Sequence, residues 1–82
     1  MDNQTKVRTC ISILEVTQRE FGVMMGTTQN TVAKWLSGDR QPGGSAAILM
    51  EHLAKEKAVR EIEVMTLDQI LKMYSKEAVQ NN

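Results

Sequence analysis

The sequence predicts an all-α fold of five short helices packed as one small domain. Two observations carry that prediction. Apolar residues recur at i, i+3, i+4 in four separate stretches, the spacing that puts them on one face of a helix. In addition, a hydrophobic content of 41% with 24% charged residues suits a globular helical chain rather than a disordered one. With 82 residues the core must be modest.

The first helix is expected over residues 4 to 14. Val7, Cys10, Ile11 and Leu14 form its stripe, which should cover the following helix pair from behind. Thr5, Thr9, Ile11 and Ile13 are mediocre helix formers, so tertiary packing must hold this segment. Glu15-Val16 links it to Thr17.

Thr17 with Glu20 reads as a capping box opening the second helix. Phe21, Met24 and Met25 give its stripe, and the two methionines are expected to fill core gaps. Gly22 allows a close helix crossing, and Gly26 ends the helix in the left-handed region. Thr28 is a suitable N-cap for a third helix, whose Val32, Trp35 and Leu36 point inward. The pair makes a helix-turn-helix.

After Leu36, the loop Ser37–Gly44 holds three glycines and the chain's one proline, with Gly38 expected to close the third helix. A fourth helix starts near Ser45 and runs through Glu56, with continuation to Ile62 or Glu63 open. Ile48, Leu49 and Leu53 are expected to close the core over Trp35. Thr66 is an N-cap candidate for a fifth helix, Leu67 to Lys76, with Asp68 early and Lys72 and Lys76 late to suit the helix dipole. Leu67, Ile70, Leu71 and Tyr74 form its stripe. The tail Val79–Asn82 should fray.

Several function classes are disfavoured. No apolar run approaches a membrane span, and the N-terminus lacks the plan of a signal peptide. A single cysteine makes no internal disulfide, which fits a reducing cytoplasm. Cys10 and His52, one of each residue, do not complete a four-ligand zinc site. No acid, base or nucleophile set stands out by spacing. The reading is a non-enzyme that needs no metal and no cofactor. The zero net charge weighs against nucleic acid, since no polybasic tail exists to grip phosphates. Residues 1–44 hold Lys6, Arg8, Arg19, Lys34 and Arg40 against Asp2, Glu15, Glu20 and Asp39.

The pattern Leu14…Thr17-Gln18-x-Glu20-Phe21-Gly22-x-x-Met25-Gly26-x-Thr28-x-x-Thr31-Val32-x-x-Trp35-x-x-Gly38-x-Arg40-x-Pro42 resembles the Cro/repressor-type helix-turn-helix, the XRE family. The resemblance covers roughly residues 5 to 56 and implies a lambda-repressor-like domain that binds double-stranded DNA. In that docking mode the N-terminal part of the second motif helix meets base edges in the major groove. Gln29 and Asn30 are then the first choices for base readout, since either amide can pair with adenine. Thr28 and Thr31 lie beside them, and Lys34 could reach a guanine or a phosphate. Gln18 resembles the family glutamine that holds a phosphate, and Arg40 resembles a family backbone contact. Arg19 completes the candidate set.

On this reading residues 1–56 bind DNA. Residues 57–82 are a helical extension whose Leu67, Ile70, Leu71 and Tyr74 supply a dimer interface, giving a homodimer on an inverted repeat. A fold-back of that helix onto the first helix of its own chain is the competing arrangement. Small repressors of phages and mobile elements, antitoxins, and repressors encoded beside anti-CRISPR genes share this plan. The alternative of another class is a protein-binding module whose C-terminal helix engages a partner such as a toxin.

Overall fold

Asp2 opens the first helix of the computed structural model by accepting a hydrogen bond from the Thr5 N–H at 2.7 Å. The structure describes the backbone of residues 2–80 and the side chains of residues 2–74. Its helices are α1 (Asn3–Leu14), α2 (Gln18–Met24), α3 (Gln29–Ser37), α4 (Gly44–Glu63) and α5 (Leu67–Gln80), and no strand occurs among the described residues. The expected all-α, five-helix fold is therefore present.

α1 ends in a Schellman turn. Val16 N–H reaches Ile11 O and Glu15 N–H reaches Ser12 O, while Glu15 takes φ 58°, left-handed without being glycine. The turn satisfies end-of-helix carbonyls and folds Val16 back onto the core. α2 ends the same way, with Thr27 N–H on Gly22 O and Gly26 N–H on Val23 O. Here Gly26, at φ 69°, takes the left-handed position at no Cβ cost.

The core is Val7, Cys10, Phe21, Val32, Trp35 and Met50, with Ile11, Leu14, Val16, Met25, Leu36, Ala46 and Ala54 packed around it. α2 packs on α3, and α1 packs on both α3 and α4, so α1 covers the helix pair from behind as its stripe implies. Burial draws the α1 stripe inward although its propensities are poor: apolar area removed from water stabilises by about 25 cal/mol per Å².

Three sequence expectations need correction. Ile48 and Leu49 are exposed and Leu53 is half-buried; Ala46, Met50 and Ala54 face the core instead. Ile48-Leu49-Met50 is an unbroken apolar triplet, so periodicity alone leaves the helix register open. Met24 is exposed rather than a gap filler, because α2 ends there and the chain turns away; Met25 alone of that pair packs inward. Finally, α5 runs past its expected end at Lys76, to Gln80. Asn81, Asn82 and the side chain of Lys76 lie outside the described residues.

α4 is 20 residues long, about 30 Å at 1.5 Å per residue. Its last packed core residue is Ala54, so its C-terminal half projects and carries α5 away. The Cα radius of gyration is 15.7 Å, against about 12 Å for a compact chain of this length. Thr66 and Gln69 cap α5 reciprocally, Thr66 N–H to Gln69 Oε1 at 2.9 Å and Gln69 N–H to Thr66 Oγ1 at 3.3 Å. α5 adds no buried residue to the core among those described.

Candidate nucleic-acid interface

Val32 is fully buried and Trp35 is 6% exposed, which fixes the rotation of α3 about its axis. Gln29, Asn30, Ala33, Lys34 and Ser37 consequently face solvent. α3 starts at Thr28, whose hydroxyl accepts from the Thr31 N–H at 3.2 Å and also lies 3.1 Å from the Thr31 hydroxyl. Both threonine hydroxyls are thus engaged in the cap, leaving Gln29 and Asn30 as the uncommitted amides at this helix end. Thr31 is half-buried.

The angle between α2 and α3 is set by backbone contact at Gly22. A Cβ there would lie 3.1 Å from the Thr28 carbonyl carbon and 3.2 Å from the Gln29 nitrogen, close enough that the facing backbone would have to shift by a few tenths of an ångström. The N-terminus of α3 therefore rests directly on α2. The capping box expected for α2 is complete: Glu20 N–H to Thr17 Oγ1 at 3.0 Å, Thr17 N–H to Glu20 Oε1 at 2.9 Å. The Thr17 backbone N–H, with its hydroxyl, holds the Glu20 carboxyl below its ordinary pKa. Gln18 and Arg19 follow in the first turn, both exposed.

The other end of α3 is held by contacts that sequence spacing does not reveal. Gly38 closes the helix at φ 87°. Gln4, on α1, donates from Nε2 to the Leu36 carbonyl at 3.4 Å. Its amide also occupies the space beside Gly38, where a Cβ would fall 2.5 Å from Nε2. Asn3 donates to Gln41 Oε1, and Arg40 N–H caps Lys34 O at 3.3 Å. The first turn of α1 thereby anchors the loop that carries Arg40, whose side chain is exposed. Arg8 is a second residue missed in the sequence: it shares a shallow surface hollow with Gln18, Ile11 and Leu36.

The electrostatics of the two halves differ although the net charge is zero. Lys55, Lys57 and Arg60 of α4 all pair with glutamates, Lys57 reaching back to Glu15 at 3.6 Å. Lys6, Arg8, Arg19, Lys34 and Arg40 make no ion pair among the described residues. Three of the four acids of the same half are occupied, Asp2 and Glu20 as helix caps and Glu15 facing Lys57; Asp39 in the loop is the exception. Cations able to meet phosphate are therefore concentrated in the helix-turn-helix half.

A helix-turn-helix family model matches residues 14–54, half of the chain. That span holds α2, the turn, α3 and the core half of α4. The chain belongs to the XRE-type helix-turn-helix family. This is a family of DNA-binding transcription regulators and not of enzymes, and the lambda-repressor-like all-α fold follows from it. No curated protein and no solved structure matches the chain. Consistent with a DNA-associated helix-turn-helix protein, no helix among the described residues is long and apolar enough to cross a membrane. Nor do three His, Cys, Asp or Glu side chains gather among the described residues to hold a metal ion. Cys10 is buried, and burial pushes its thiol pKa up, away from the thiolate that reactivity or metal binding needs.

Proposed function

We propose that this XRE-type protein is a sequence-specific repressor that reads an inverted repeat as a homodimer, with α3 in the major groove. The observation that carries the proposal is the outward face of α3. Gln29, Asn30 and Lys34 are exposed together on a helix whose rotation is locked by Val32 and Trp35. Gln29 and Asn30 read base edges, with Thr28 and Thr31 fixing the helix start beside them. Gln18, Arg19 and Arg40 contact the phosphate backbone and set the register.

Residues 1–56 form the DNA-binding unit and residues 57–82 the dimerisation element. The core's reach, from Val7 to Ala54, supports that division, as does the exposure of Leu67, Leu71 and Tyr74 with Ile70 half-buried beside them. A repressor of this size suits a phage or mobile element, an antitoxin or an anti-CRISPR-associated operon, acting in the cytoplasm. The same exposed α5 face favours a second reading, in which α5 engages a partner protein such as a toxin. A binding assay on DNA upstream of the protein's own gene tests the first reading. Sequence-selective retention there supports it. Failure to bind, together with a stable complex between α5 and the product of a neighbouring gene, supports the second.

A further inference from the structure

Val7 is fully buried and Cys10 is 5% exposed, which fixes the rotation of α1 as Val32 and Trp35 fix that of α3. Arg8, the residue after Val7, is consequently exposed. It shares an open hollow of about 300 Å³ with Gln18 of α2, Ile11 of α1 and Leu36 of α3. Three helices meet at this spot, and its two polar side chains are both hydrogen-bond donors. Ile11 and Leu36 pack against the core, so the apolar part of the hollow is held in place. Gln4, one turn before Arg8, donates to the Leu36 carbonyl at 3.4 Å and ties α1 to the end of α3.

No acid of α1 is placed to satisfy Arg8. Side chains three and four residues away are the neighbours on a helix surface, and here they are Gln4, Thr5, Ile11 and Ser12. Asp2, whose carboxylate feels the Arg8 charge, is already committed to the Thr5 N–H. By contrast, each Lys and Arg of α4 has a glutamate four residues away: Lys55 with Glu51, Lys57 with Glu61 and Arg60 with Glu56. An arginine is also the right cation for the spot, because its planar fork fits two phosphate oxygens and its charge is weakly hydrated.

We propose that Arg8 and Gln18 together hold one phosphodiester group of the DNA backbone, so that α1 contributes to the interface from outside the matched residues 14–54. The proposal rests on the DNA-binding reading and adds to it a contact on a helix other than the reading helix. The guanidinium donates to two phosphate oxygens, and the Gln18 amide donates from its NH2 group. Because Gln4 ties α1 to α3, this contact fixes the register of α3 on the duplex while carrying no base information itself.

The test is fluorescence anisotropy of full-length protein on DNA upstream of its own gene and on scrambled DNA, over a series of salt concentrations. Arg8→Gln removes the charge, and its melting temperature should be retained because Arg8 is exposed. Binding should weaken about tenfold on both DNAs, and the logarithmic salt slope should become shallower by about 1 per subunit. Arg8→Lys should recover the slope and only part of the affinity, since an ammonium does not make the bidentate contact. Lys6→Gln removes the same unit charge from the side of α1 that faces α4 and should change the slope less. Gln18→Ala should cost less in the Arg8→Gln background than in the wild type. Unchanged affinity and slope in Arg8→Gln, with selective binding by the wild type, overturn this contact and leave the DNA-binding reading standing. Equal slope changes in Lys6→Gln and Arg8→Gln overturn it too, because the effect is then one of overall charge. Additive losses in the Arg8→Gln, Gln18→Ala double variant overturn the sharing of one phosphate. Absence of binding by the wild-type protein at low salt overturns both the contact and the reading beneath it.

Discussion

Gln29 and Asn30 occupy the first turn of α3 with their amides uncommitted, whereas the neighbouring Thr28 and Thr31 hydroxyls are tied to each other. Gln29→Ala or Asn30→Ala should therefore keep the fold and lose discrimination, by about 1–3 kcal/mol per half-site for a bidentate base contact. Competition between operator and scrambled DNA checks this. Gln4 makes a different prediction. Gln4→Met removes the donor to Leu36 O but keeps the length, so helical content should be retained while the Arg40 loop loosens. Binding should then weaken alike on all sequences, and adding Arg40→Ala should cost less than in the wild type. Equal losses in both backgrounds would show that Gln4 does not act through that loop. At Glu20, bonding to Thr17 lowers the folded carboxyl pKa. Its stabilisation is thus present above the unfolded carboxylate value and lost as pH falls through the folded one. Glu20→Gln should flatten the acid limb of a melting-temperature profile. The Thr17–Glu20 box was legible in the sequence because its partners sit three residues apart. Gln4 with Leu36, 32 residues apart, leaves no such local signal.

At the scale of elements, helix ends were easier to read than helix registers. Gly26, Gly38 and Thr28 mark ends through backbone preferences that belong to single residues. The inner face of α4 was misread because three apolar residues in succession offer more than one register, and the small Ala46 and Ala54 that fit against α1 look inconspicuous. Glu15 was missed for the opposite reason: it occupies a left-handed position that glycine prefers. Glu15→Gly should relieve about 1 kcal/mol of backbone strain against a solvent-exposed ion pair with Lys57 of lesser value. The expected gain is a melting temperature higher by roughly 4–8 °C per kcal/mol, measured by circular dichroism. Truncation after Met65 removes α5, which contributes nothing to the core among the described residues. It should leave a folded monomer with weakened operator binding that protects only a half-site. A truncated chain that still sediments as a dimer on the full palindrome would move the interface to α4.

For the whole molecule, the fold and the family were legible because α2, the glycine turn and α3 form one contiguous pattern. The elongation was not, since nothing local tells whether α5 returns to α1 or is carried outward by α4. The zero net charge likewise concealed its distribution: the α4 cations are paired with glutamates, and those of the helix-turn-helix half are not. On the proposed docking, Arg19, Lys34 and Arg40 neutralise few phosphates per subunit, with Arg8 beside Gln18. The logarithmic salt dependence for a dimer should accordingly be roughly −4 to −7, gentler than for a strongly basic repressor. A twofold dimer places its recognition helices about 34 Å apart, one turn of DNA, which doubles the sequence read by a single copy. The measurement that tests sequence-specific DNA binding most directly is fluorescence anisotropy on DNA upstream of the protein's own gene, at low salt, with unlabelled competitors. The account predicts saturable binding that the same DNA displaces and scrambled DNA does not. Absence of binding at low salt, or equal displacement by both competitors, would contradict it.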